Sequence, residues 1–294
     1  MEGCLSVKQV VEKYVEGCQV KSRMATKILF GKAILAGVMI GMGAAASSVA
    51  AHTIADVGLA RLAAAVVFPV GLMMVILLGA ELFTGDCLVA MSVFDGKQKV
   101  RTAARILAVV YLGNFVGASL LALLVSMSGQ LNYSAGMLGA YTIKVAVGKV
   151  SLSFSEGLVS GILCNILVCV AVLMAMCAKD VTGKLLASFF TIMLFVTAGF
   201  EHCVANMYYI TAGMLAMRNP QYVELAKNVY GYSMEQLNRL SLENYLVSNL
   251  LPVTIGNIIG GIICVGAPVF YLNMNKEEKK NVIAYNKIPA DSVR

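Results

Sequence analysis

The sequence is short of charge. Only 13% of its 294 residues are Asp, Glu, Lys or Arg, about half of what a soluble domain carries, while 59% are hydrophobic. So few charges do not cover a soluble globule, and the same balance excludes a disordered or fibrous chain. Tryptophan is absent, prolines number five and histidines two. The eight cysteines (Cys4, Cys18, Cys87, Cys164, Cys169, Cys177, Cys203 and Cys264) include no Cys-x-x-Cys pair, so neither a disulfide framework nor a zinc site is signalled. HExxH, Walker, GxSxG and dinucleotide-binding glycine motifs are also missing, which points away from an enzyme and from any cofactor. What remains is an integral membrane protein. In such a chain the net charge of +7 sets topology and does not call for nucleic acid.

Apolar runs fall at 28–51, 62–94, 102–127, 152–178, 185–217 and 246–272. A crossing needs about 20 residues, so four runs suit one helix each. The second and fifth are too long for a straight helix across a core of about 30 Å. Each also holds polar residues that lipid would reject: Glu81, Thr84 and Asp86 in one, Glu201, His202 and Asn206 in the other. Both interruptions read Gly-x-Glu, as Gly79-Ala80-Glu81 and Gly199-Phe200-Glu201. Three spans per half turn the second half upside down, so the pattern predicts a 3+3 inverted repeat of six helices with broken second and fifth members. With the N-terminus inside, 17 lysines and arginines fall on the cytoplasmic side and 6 on the other. That bias predicts both termini in the cytoplasm. No cleavable signal precedes the first run.

The chain therefore divides into an N-terminal amphipathic helix over 1–27, a membrane domain over 28–272 with repeats at 28–127 and 152–272, and a cytoplasmic tail over 273–294. In the first part Val7, Val10, Val11, Tyr14, Val15 and Cys18 recur at helical spacing, as in a helix lying on the membrane surface, an anchor or a lid. Gly-x-x-x-Gly occurs at Gly37/Gly41, Gly113/Gly117, Gly157/Gly161 and Gly256/Gly260, implying close helix pairs within the bundle or between subunits. Tyr208, Tyr209, Tyr222, Tyr230, Tyr232 and Tyr245 are candidates for an outer aromatic belt. The polar stretch 218–245 suits a short external helix or loop.

A charge at mid-membrane costs about 2.5–3.5 kcal/mol on insertion scales, so residues kept there face a cavity or one another. His202 donates a hydrogen bond when neutral and suits an anion. Thr84-Gly85 fits unwound backbone turned to a cavity, with Glu81 bracing the break and Asp86 capping the next half-helix. Leu82 and Phe83 suit an apolar constriction. Lys149, just ahead of the fourth span, suits anion attraction at the outer mouth. Asn165 and Asn257 are buried amides that line a conduit or cross-link helices.

Glu81-Leu82-Phe83-Thr84-Gly85, Gly161-Ile162-Leu163-Cys164-Asn165 and Phe200-Glu201-His202-Cys203-Val204-Ala205-Asn206-Met207 resemble the formate/nitrite transporter family, over about residues 5–275. The likeness looks nearest to its hydrosulfide channel branch. It implies an aquaporin-like protomer with one pore, a homopentamer in a bacterial inner membrane, and passage of hydrosulfide, formate or nitrite. It further implies that Thr84, His202 and Lys149 handle the anion. Leu82 and Phe83 would form the cytoplasmic slit, with Phe68, Leu72, Val168 and Phe195 in the remaining constrictions. The competing expectation is a neutral-solute pore of aquaporin type, which also uses two broken helices.

Overall fold

The computed structural model describes residues 3–274, and the described residues form helices joined by short turns. From residue 275 on, the expected tail lies outside the described residues. Among the described residues, six helices are long and apolar enough to cross a membrane. Helix α1 (Val7–Arg23) precedes the first span, α2 (Thr26–Ala51). The second span is split into α3 (Val57–Leu78) and α4 (Phe83–Phe94), and α5 (Val100–Met127) is the third. Then come α6 (Met137–Val150), α7 (Phe154–Cys177), the split pair α8 (Val181–Ala198) and α9 (Cys203–Ala216), and the surface helices α10 (Pro220–Tyr230) and α11 (Met234–Asn238). The last span is α12 (Asn244–Asn273), which carries π-helical turns at Asn244–Leu250 and Gly260–Gly266.

Both breaks form for the same local reason. Gly79 (φ 62°) and Gly199 (φ 75°) take the left-handed conformation that ends a helix cheaply only at glycine. In each, the glycine N–H bonds the carbonyl three residues back, Ile76 or Val196. The next N–H bonds Val75 or Phe195, completing a Schellman turn. The unwound segments are thus 79–82 and 199–202. Thr84 and Gly85 already lie in the first turn of α4, which corrects the expectation that they form the unwound strand. Asp86 caps nothing; it ends that turn and faces α1.

The four small-residue motifs are used inside the protomer. A Cβ on Gly117 would strike the Ile34 carbonyl, and one on Gly256 the Leu158 carbonyl, so α2 packs on α5 and α7 on α12 with backbones in contact. Two asparagines in these motifs tie the breaks shut. Asn114 on α5 accepts the Phe83 N–H (2.9 Å) and donates to the carbonyls of Glu81 (2.9 Å) and Ala33 (2.7 Å). Asn257 on α12 accepts the Cys203 N–H (3.0 Å) and donates to Glu201 (3.1 Å) and Gly161 (2.7 Å). The two brackets correspond bond for bond, which makes the inverted repeat visible at atomic detail.

Two elements depart from expectation. Helix α6 was not foreseen: Leu138, Ile143, Val147 and Val150 are buried at helical spacing, but its 14 residues fall short of a span. It stands before the fourth span as α1 stands before the first, so each repeat is a short helix plus three spans. Four of the six tyrosines expected in a belt turn inward: Tyr208, Tyr222 and Tyr245 are buried, and the Tyr209 hydroxyl bonds Ser47 at 2.7 Å. Helix α1 itself buries Val10, Val11, Val15 and Cys18 against the bundle, starting from a Ser6/Gln9 capping box.

Replacing Asn114 or Asn257 by Ala orphans buried backbone groups at a cost of about 1–3 kcal/mol each. Both variants should show a clearly lowered unfolding temperature in detergent, and by similar amounts. An unchanged midpoint for either would contradict the bracket assignment.

Candidate functional site

The two breaks meet at one contact. Thr84 Oγ1 on α4 and His202 Nε2 at the head of α9 lie 2.8 Å apart, both buried, although 118 residues separate them in sequence. His202 is the N-cap of α9: its Nδ1 accepts the Ala205 N–H at 3.0 Å. An Nδ1 that accepts has no proton, so the neutral ring carries its hydrogen on Nε2 and donates it to Thr84. The Thr84 hydroxyl then keeps its own proton free to donate elsewhere. The Phe195 ring stacks on the imidazole at 6.0 Å and meets Phe68 edge-on at 5.7 Å.

Two cavities approach this contact from opposite faces and share no lining residue. The one beside α1 measures about 310 Å³ and is bounded by Leu72, Leu82, Gly85, Lys21 and Asp86. The other, about 430 Å³, is bounded by Phe68, Phe195, His202, Glu201 and Asn206. His202 lines the second and Gly85, next to Thr84, lines the first, so the Thr84–His202 contact lies between them. Phe83 lines neither cavity. Its ring packs on Tyr111 at 4.9 Å, which corrects its expected place in a slit. Val168 is buried outside both, and Asn165 braces the site, donating to the Thr84 carbonyl (3.1 Å) and the Asn257 carbonyl (2.6 Å).

Each Gly-x-Glu glutamate is held by a lysine from the short helix that opens its repeat. Lys149 on α6 donates to both oxygens of Glu201, at 2.9 and 3.1 Å, and lies 5.3 Å from the Tyr209 ring. It therefore does not stand free at the mouth as the sequence suggested. Asn206 donates to Glu201 (2.6 Å) and to Asn249 (2.8 Å), and Asn249 donates to the Lys149 carbonyl (2.8 Å), closing a ring of bonds around the pair. On the other face Lys21 of α1 pairs with Glu81 and Asp86 at 2.5 Å each, and Tyr14 donates to the Gly85 carbonyl at 3.2 Å. Burial alone would lower the Lys21 pKa, but the Asp86 and Glu81 carboxylates outweigh it and hold the ammonium above its ordinary range.

The sequence pattern does not single out Asn114, Asn249 or Lys21 as site residues. Asn114 is legible only by comparing the halves, since Gly113-Asn114-x-x-Gly117 repeats as Gly256-Asn257-x-x-Gly260. Asn249 is buried within the π-helical turn Asn244–Leu250, whose period differs from that of an α-helix, so α-helical spacing does not show which way it faces.

Two inverted halves that break at mid-membrane, with cavities meeting from either face, define a protein that passes a small solute across the bilayer. A sequence model of the family described as formate/nitrite transporter matches residues 8–271, and the chain belongs to that family, one of channels and transporters and not of enzymes. It is 40% identical over 217 residues to the formate channel FocA of Haemophilus influenzae, covering 73% of this chain and 75% of that protein. The formate channel FocA of Escherichia coli K12 is 35% identical over 222 residues, with 74% and 76% covered. A solved pentameric formate channel with formate bound superposes with a TM-score of 0.73 at 30% identity, covering 85% of this chain and 98% of that one. These relatives do not show the hydrosulfide branch, and they do not favour a neutral-solute pore.

Lys149→Gln should destabilise strongly, because Glu201 is left as a buried, unpaired carboxylate; removing one partner of a buried pair costs about 3–5 kcal/mol. Adding Glu201→Gln should recover most of the lost unfolding temperature. A double variant no more stable than Lys149→Gln would rule out direct charge pairing as the cause.

Proposed function

We propose that this protein conducts formate, a small monovalent anion, through one pore per protomer of a homopentamer. It sits in a bacterial inner membrane with α1 and both termini on the cytoplasmic side. The observation that carries the proposal is the buried pair Thr84–His202 at the junction of two cavities. At rest the Nε2–H is given to Thr84, which leaves the hydroxyl proton free and a second donor that an entering anion takes over from Thr84, and an anion is the ligand that satisfies two donors without supplying any. The relatives named formate channels supply the identity of the anion.

The sequence of events follows from the lining. An anion entering either cavity meets an apolar collar, Leu72 and Leu82 on one side and Phe68 and Phe195 on the other. Stripping water from a charge there is costly unless hydrogen bonds replace it. Thr84 rotates its hydroxyl proton toward the ion, and His202, held by Ala205, transfers its Nε2–H hydrogen bond from Thr84 to the ion while staying neutral. A neutral donor binds the ion without trapping it as a fixed cation would, and conduction requires release as well as entry. Glu201 and Lys149 shape the approach as a neutralised pair.

A neutral-solute pore would turn amide donors of the paired broken helices into the lumen. Here the one asparagine on the broken helices, Asn206, gives its amide donors to Glu201 and Asn249. Hydrosulfide, the anion of the branch first suggested by resemblance, and nitrite share formate's charge and small size and are compatible with the same donor pair.

Proteoliposomes of the full chain should pass formate as an electrical current. Thr84→Val and His202→Phe each remove a donor to a charged ligand, a loss of about 1.5–3 kcal/mol, so flux should drop by about ten- to a hundredfold. Wild-type formate flux at the level of empty vesicles would refute the proposal, and full flux in both variants would remove this pair from the pathway.

A further inference from the structure

The cavity opposite α1 holds more positive charge than the conduction contact uses. Lys149 is bonded to both Glu201 oxygens and contributes little net charge. Arg61, near the start of α3, lines the same cavity, and no hydrogen bond or ion pair joins it to any described residue. Its guanidinium lies against Gly199 at the break. A Cβ on that residue would collide with Nη1, and would lie 2.9 Å from Cζ and 3.2 Å from Nη2. The glycine that breaks the helix thus also makes room for the arginine. A second cation stands nearby: Lys144 Nζ is 4.7 Å from the Tyr230 ring centroid and 5.6 Å from that of Tyr141. Tyr141 and Lys144 line the cavity with Arg61, and His202 lies at its floor.

We propose that Arg61 is a specificity residue that takes small planar monocarboxylates by a two-pronged contact in this cavity before they reach His202. A guanidinium presents parallel N–H groups that match the two oxygens of a carboxylate, whereas a one-centre anion such as hydrosulfide engages only as a point charge. A protein carboxylate opposite Arg61 would occupy the fork permanently, as Glu201 occupies Lys149. The position near the carbonyl end of α8 offers the alternative role of a helix cap, yet no Arg61 donor reaches those carbonyls. The arginine's exposure to the cavity keeps its hold weak, which suits a residue that must pass its ligand onward. The inference rests on formate as the conducted anion.

The test compares Arg61→Lys and Arg61→Gln with wild type in proteoliposomes. Arg61→Lys keeps the charge and loses the fork. The formate concentration giving half-maximal flux should rise about three- to tenfold in both variants, with maximal flux unchanged, whereas in Arg61→Lys the hydrosulfide dependence should not move. Formate behaviour in Arg61→Lys equal to wild type, or equal shifts for both anions, would overturn the proposal. A measurement on the unaltered protein guards against misfolded variants: saturating formate, but not chloride, should slow phenylglyoxal labelling of Arg61 read by mass spectrometry. Equal labelling rates with and without formate would also overturn it. Absence of formate current in wild type, by contrast, strikes the function proposed above, and the labelling comparison still reads the arginine independently.

Discussion

Everything in this molecule follows from the cost of breaking a helix inside a membrane. A break frees backbone N–H and carbonyl groups where no bulk water can satisfy them, and each orphan costs several kcal/mol in hydrocarbon. The chain breaks two spans and brackets each with an asparagine, Asn114 at the 79–82 segment and Asn257 at the 199–202 segment, while the Lys32 carbonyl and the Ser160 hydroxyl accept the Glu81 and Glu201 N–H groups. Because those amides are fully engaged, the breaks are rigid, and the side chains they carry can be aimed. Thr84 and His202 meet at 2.8 Å as a consequence.

The repeat extends further than the spans. Each half opens with a short helix, α1 or α6, and each of these contributes one lysine, Lys21 or Lys149, to the glutamate of its own Gly-x-Glu break. The halves then diverge. Lys21 meets two carboxylates, Glu81 and Asp86, while Lys149 meets one. The face beside α1 is thereby less positive than the opposite cavity, where Arg61 and Lys144 have no acidic partner among the described residues. Symmetry builds the conduit, and departures from symmetry give its two mouths different chemistry.

Much of this was legible in the sequence. The six apolar runs and the excess length of two of them mark the spans and the breaks, because hydropathy and length are one-dimensional properties. Gly79 and Gly199, and the polar residues after them, mark where the helices stop. The pairing of Thr84 with His202 came through resemblance and not through spacing. Partners were less legible. Lys149 reads as a free cation until Glu201 is placed beside it. Phe83 reads as a pore ring until Tyr111 claims it. Helix α6 was hidden because a 14-residue amphipathic helix looks like a loop when only spans are sought. Asn249 was hidden because a π-helical turn breaks the periodicity used to assign faces.

Conduction through this contact turns on the proton of one imidazole. Only His52 and His202 are present, so His52→Gln leaves a single histidine for nitrogen-15 labelling. At neutral pH the labelled full-length protein should give the spectrum of a neutral ring protonated on Nε2, with Nδ1 shifted as a hydrogen-bond acceptor. An Nδ1-protonated ring, or an imidazolium, would contradict the claim that the second break presents a neutral donor to the passing anion.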